Sequence, residues 1–214
     1  MSTDYYATFA PVELDREELV PILEAVVFNG EGPSCLSADR LSLTGGRLRY
    51  EWESLEFAEL SDALAATSDW DGLEIPFVRE RRQWSLLLWS DVEGCSTLTL
   101  CEPGSVYERQ IERESVRMNF VEMLEELRAR LCASFCVLEA ESVFRSRRVE
   151  EIEGWLDGLG RGENPKGWEL VICEDKKISQ ERIPLRYRAQ HDFVPVGELS
   201  SSAWIISFMG PLRP

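Results

Sequence analysis

The chain has 214 residues and a mass of 24.5 kDa, with 39 acidic side chains against 23 basic ones and a single His, a formal charge of −16. Its length fits one globular domain or two small ones, and with 44% hydrophobic residues, including seven Trp, nine Phe and five Tyr, it is too apolar for a disordered acidic tail. Its longest apolar runs, such as residues 86–89 and 204–206, fall well short of the ~20 residues of a spanning helix, and the first residues lack the basic and apolar regions of an export signal, so the expected setting is cytoplasmic, away from membranes.

In chain order, residues 5–9 suit a short strand. Asp15 and Glu18 then form a D-x-x-E arrangement resembling a capping box, and Leu19, Ile22, Leu23, Val26 and Val27 recur at helical spacing. Pro21 is costly inside a helix, at ~3 kcal/mol, which predicts a start near Glu18 with Pro21 in the first turn. A loop follows. Residues 47–53 alternate between Leu48, Tyr50 and Trp52 on one side and Arg47, Arg49, Glu51 and Glu53 on the other, the pattern of a half-buried strand.

Ser54 is a candidate N-cap for a helix with Phe57, Leu60, Ala63 and Leu64 on its apolar face, and residues 69–72 read as a turn. Three strands in close order follow, over 73–79, 84–90 and 96–101, and the apolar residues on both sides of the middle one predict that it is covered on both faces. After the break at residues 102–105, residues 115–131 form the longest helix, with Val121, Leu124, Leu127, Arg128 and Leu131 in its stripe and Glu125 pointing away. Residues 135–138 suit a short buried strand, and Val149, Ile152, Trp155, Leu156 and Leu159 a further helix. Strands are predicted from Gly167 onward with Trp168, Leu170 and Ile172 on one side, over 182–188 with Arg182, Arg186 and Arg188 outward, over 193–196 and over 203–208.

This order predicts an α+β fold of antiparallel sheet covered by amphipathic helices. Two arrangements fit: an acidic half over 1–107 followed by a second half over 108–214, or one continuous domain.

The acidity is concentrated at the front. Residues 1–107 hold 20 acids and 7 bases, residues 108–214 hold 19 and 16, and the three Lys of the chain all lie in the second group. The excess of Arg over Lys reads as codon bias in a GC-rich bacterial genome. Such a charge opposes binding to nucleic acid phosphates or anionic lipid and favours steering toward a basic partner.

The six Cys lack the C-x-x-C spacing preferred by structural zinc. Cys132 and Cys136 could share a helical face with His191 joining them, but buried, reduced thiols are the expectation, with no metal and no cofactor. The G-x-S-x-G, P-loop, H-E-x-x-H and strand-linked G-x-G-x-x-G patterns are all missing, and the glycines at 158, 160 and 162 follow a helix rather than precede one. Glu51 and Glu53, or Glu139 and Glu141, are carboxylate neighbours of the kind that more often solvate a sheet than hydrolyse a substrate.

The residue inventory therefore leans away from an enzyme. The favoured reading is a non-catalytic protein-binding protein, such as an inhibitor or immunity-type protein neutralising a basic bacterial toxin, with a face made of Glu51, Glu53, Glu56, Glu59, Asp69, Trp70 and Asp71. Trp70 would be its anchor, aromatic residues being frequent hot spots while acids set the on-rate. One alternative is an enzyme or ligand module holding an anion on Arg182, Arg186, Arg188 and His191 through guanidinium forks. The other is a structural subunit of a bacterial assembly.

Overall fold

The computed structural model describes residues 4–28, 36–44, 47–66, 72–79, 82–90, 96–102, 114–140, 154, 157, 158, 161, 168–174, 188–192 and 202–207. Ten strands form one sheet: β1 (Tyr5–Ala10), β2 (Leu36–Thr44), β3 (Arg47–Phe57), β4 (Gly72–Arg79), β5 (Arg82–Ser90), β6 (Ser96–Glu102), β7 (Phe135–Ala140), β8 (Trp168–Glu174), β9 (Arg188–Asp192) and β10 (Ser202–Ser207). The spatial order is β3-β2-β4-β5-β6-β1-β7-β8-β10-β9, and every neighbouring pair is antiparallel. The fold is thus α+β on a large antiparallel sheet. The first strand lies in its interior, pairing with β6 on one side and β7 on the other, so the hydrogen-bond ladder passes from the front of the sequence to the rear through β1.

Among the described residues the sheet is accompanied by helices α1 (Arg16–Val26), α2 (Leu60–Ala66) and α3 (Glu114–Arg130). Their apolar residues, among them Leu23, Val26, Leu64, Val121, Leu124 and Leu127, lie in one buried cluster with Ala7, Phe9, Ile75, Leu86, Leu98, Leu138 and Ile172 from the strands. α2 contacts β2 and β3, and α3 contacts β7. An aromatic series ties front to rear: Phe28 meets Phe77 edge-on at 5.0 Å, Phe77 stacks on Trp84 at 6.3 Å, and Trp84 lies 6.5 Å from Phe120 of α3. Such pairs add about 0.5–1.5 kcal/mol beyond the area they bury.

The opposite face of the sheet is also buried in its middle, where Leu87, Val137, Phe135, Val171, Cys173 and Ile206 are inaccessible. Strands buried on both faces read as unbroken apolar runs, and this explains residues 86–88, 135–138 and 170–173. The expectation for the middle strand of the meander is met by Leu86, Leu87 and Leu88, all buried.

Several local expectations are corrected. Residues 36–44, read as loop, form β2, which is held between β3 and β4. Its polar composition, with Ala38 in the core cluster, hides a strand whose stability comes from its two neighbours. The capping box is present, with the Asp15 carboxylate accepting from the Glu18 backbone N–H at 3.0 Å and the Glu18 carboxylate from that of Asp15 at 3.3 Å. It starts the helix at Arg16 and leaves Pro21 in the interior, on the exposed side. Ser54 and Phe57 belong to β3 rather than to a helix, so α2 begins only at Leu60.

Glu125 does not point away from the core. It is 1% exposed and paired with Arg128. Cys132 and Cys136 share no helical face, because α3 ends at Arg130, before both, and Cys136 lies in β7. Cys132 takes a left-handed φ of 53°, and the N–H groups of Cys132 and Ala133 donate to the carbonyls of Ala129 and Arg128, a Schellman closure with Cys where Gly is usual. Residues 182–187, 193–196 and the helix expected over 149–159, apart from Gly154, Asp157 and Gly158, lie outside the described residues.

Candidate functional site

The strand register brings the candidate site together. One row of directly opposed residues begins on the front edge at Ser54 of β3, Asp39 of β2 and Glu74 of β4. It continues inward through Leu87 of β5, Thr99 of β6 and Thr8 of β1, all buried. Midway along it the Thr8 and Thr99 hydroxyls share a hydrogen bond at 3.1 Å. The row runs on through Val137, Val171 and Ile206 to Arg188 of β9, so its carboxylates stand toward one side of the sheet and the arginine position at the other.

Asp39 and Glu74 are the notable pair. They are half-buried and stand directly across antiparallel strands, where side chains lie ~4.5–5.5 Å apart at Cβ and like charges repel. Glu56 is exposed two positions along β3 from Ser54, opposite Ser37 of β2, which is exposed too. Glu59 is exposed just beyond the strand and accepts from the Ser61 hydroxyl at 3.4 Å. The chemistry on offer is that of several carboxylates on one edge of a sheet. Among the described residues no group of three or more His, Cys, Asp and Glu is arranged to hold a metal ion.

The next row on the same face, two residues along the strands, carries Cys101 of β6, Tyr6 of β1 and Glu139 of β7. The Cys101 thiol is pushed up to about 12, first by burial and then by the negative charge of Asp4, with Glu74 and Glu102 adding to it, against a hydrogen bond from Tyr6 that acts the other way. A thiol so disposed stays protonated at neutral pH and is no nucleophile. Cys136 is shifted up as well, by burial and by Glu125. Cys101, Cys132, Cys136 and Cys173 are free thiols.

Of the residues expected to face a partner, Glu56 and Glu59 are placed and exposed. Glu51 stands opposite Arg40, and the register then jumps to Ser54 opposite Asp39, leaving Trp52 and Glu53 as two additional residues of β3. Asp69, Trp70 and Asp71 lie outside the described residues, as do Arg182 and Arg186. Arg188 and His191 are both on β9, opposite Ile206 and Ala203 of β10, three positions apart and so in rows of opposite parity. Asp39 and Glu74 were not legible as site residues, since their juxtaposition depends on β2 being a strand.

No family model, curated protein or solved structure matches the chain. Among the described residues no helix is long and apolar enough to cross a membrane.

Proposed function

We propose that this chain is a non-catalytic protein-binding protein that presents the acidic residues of the β2 and β4 side of its sheet to a basic protein, as an inhibitor or immunity-type protein would to a toxin. The observation that carries the reading is the opposition of Asp39 and Glu74. Two carboxylates across a strand pair cost stability in the free protein, and an arriving guanidinium or ammonium group turns that repulsion into two favourable contacts. Glu56 and Glu59 extend the same side outward, and the excess of 13 acids over bases in residues 1–107 supplies a long-range field that steers a basic partner.

The test is to recover partners from the native host, determine their charge, and measure association kinetics at two ionic strengths. A basic partner whose association slows with salt and with Asp39→Lys or Glu74→Lys supports the reading. Association that ignores both salt and these substitutions removes this side of the sheet from consideration.

A further inference from the structure

β3 ends the sheet and, among the described residues, pairs with β2 alone. A terminal strand carries a row of N–H and C=O groups along its outer side, which proteins blunt with short strands, bulges or charged side chains. β3 has eleven residues. Its first seven read Arg-Leu-Arg-Tyr-Glu-Trp-Glu, from Arg47 to Glu53.

That segment is complementary to its own reverse. Laid antiparallel on a second copy about a twofold axis at Tyr50, it sets Arg47 opposite Glu53, Leu48 opposite Trp52, Arg49 opposite Glu51, and Tyr50 opposite Tyr50. Opposite charges, apolar pairs and aromatic pairs directly across antiparallel strands are each favourable. Other registers lose this. An axis at Glu51 or at Arg49 sets that residue against itself, and an axis between Tyr50 and Glu51 puts Arg49 opposite Trp52 and Leu48 opposite Glu53.

Within the chain, β2 does not satisfy the pattern. Arg47 and Arg49 stand opposite Thr44 and Ser42, while Trp52 and Glu53 have no partner position in β2. Bases are scarce in this part of the sequence, yet two of the seven in residues 1–107 are Arg47 and Arg49 on this strand.

We infer that β3 is the interface of a homodimer, in which two copies join edge to edge about Tyr50 and their sheets continue into one another. The pairing is isologous, as a twofold axis requires, and uses residues 47–53 of the terminal strand, whereas Asp39 and Glu74 stand on the second and third strands.

The experiment is the solution mass of the full chain by sedimentation, for the wild type and for two charge-reversed variants, Arg47→Glu/Arg49→Glu and Glu51→Arg/Glu53→Arg. The wild type sediments at twice the chain mass of 24.5 kDa. Each variant alone falls to the chain mass, and an equimolar mixture of the two returns to twice that mass, because the reversed strands complement each other. A wild type that remains monomeric up to its solubility limit overturns the inference, as does a dimer that survives in both variants. Should a variant fail to fold, amide exchange in the wild type decides: exchange over residues 47–53 slows as protein concentration rises, and concentration-independent exchange there overturns the proposal.

Discussion

Arg128 closes on Glu125 from one turn further along α3, its Nε and Nη2 donating to the two carboxylate oxygens at 2.5 and 2.7 Å while Nη1 donates to the Ala133 carbonyl at 2.7 Å. Both side chains are within 5% of full burial. Burial works against the guanidinium charge, but the hydrogen bonds and charge of Glu125 outweigh it and hold Arg128 more firmly protonated than usual. The fork thus joins the last turns of the helix to the turn that delivers the chain into β7.

Removing one partner of such a pair leaves a buried charge without compensation. Glu125→Ala is expected to lower stability by about 3–5 kcal/mol, whereas replacing both partners together, as Glu125→Leu/Arg128→Met, recovers much of that loss. Urea denaturation of the two proteins checks this, and a double variant less stable than the single one contradicts it.

Leu124 is fully buried in the stripe of α3 that faces the main core. Leu124→Asp places an unpaired charge there, costing several kcal/mol of a stability of about 5–15 kcal/mol, and is expected to yield no soluble, cooperatively melting protein. Glu122→Ala, on the exposed side of the same helix, is the control and changes stability by no more than about 0.5 kcal/mol.

The left-handed Cys132 makes a separate prediction. A residue with a Cβ pays roughly 1–2 kcal/mol in that conformation and Gly pays almost nothing. Cys132→Gly is expected to raise stability by about 1 kcal/mol, and Cys132→Val to lower it. Thermal melts of the pair, which move in the same direction if the turn is otherwise built, decide the matter.

Alkaline pH is expected to destabilise the fold through its buried thiols. Cys101 keeps its proton to about 12 in the folded chain, while an unfolded thiol releases it near 8.5. The folded state therefore binds more protons between these values. Its stability is complete below the unfolded value and declines as pH rises through the window toward the folded one. Cys136, shifted in the same direction, adds to the effect. Denaturation midpoints of wild type and Cys101→Ala at neutral pH and in this window should converge as pH rises, and parallel profiles would exclude the thiol as the source.

The Asp39 and Glu74 opposition predicts a trade of stability against binding. Glu74→Gln is expected to raise stability by about 0.2–1 kcal/mol by ending the cross-strand repulsion while slowing association with a basic partner. Denaturation and association kinetics on the same preparation test both halves. A variant that is destabilised argues that the carboxylates are compensated within the chain.

By itself the sequence determined the elements with strong local signals: α1 through its capping box and apolar spacing, α3 through its stripe of Val121, Leu124, Leu127 and Leu131, and the meander of β4, β5 and β6 through apolar runs between turns. Period and capping act over a few residues, so they can be read without knowing the fold. Only the tertiary structure decided that residues 36–44 are a strand, that β1 lies inside the sheet between β6 and β7, and that Glu125 is buried against Arg128. A polar segment becomes a strand when neighbours on both sides take its backbone hydrogen bonds, and a carboxylate can be buried when a guanidinium arrives with it. The candidate site falls between these cases. Glu56 and Glu59 were legible as acids, but their relation to Asp39 and Glu74 is a matter of register between strands distant in sequence, which side-chain periodicity within one strand does not encode.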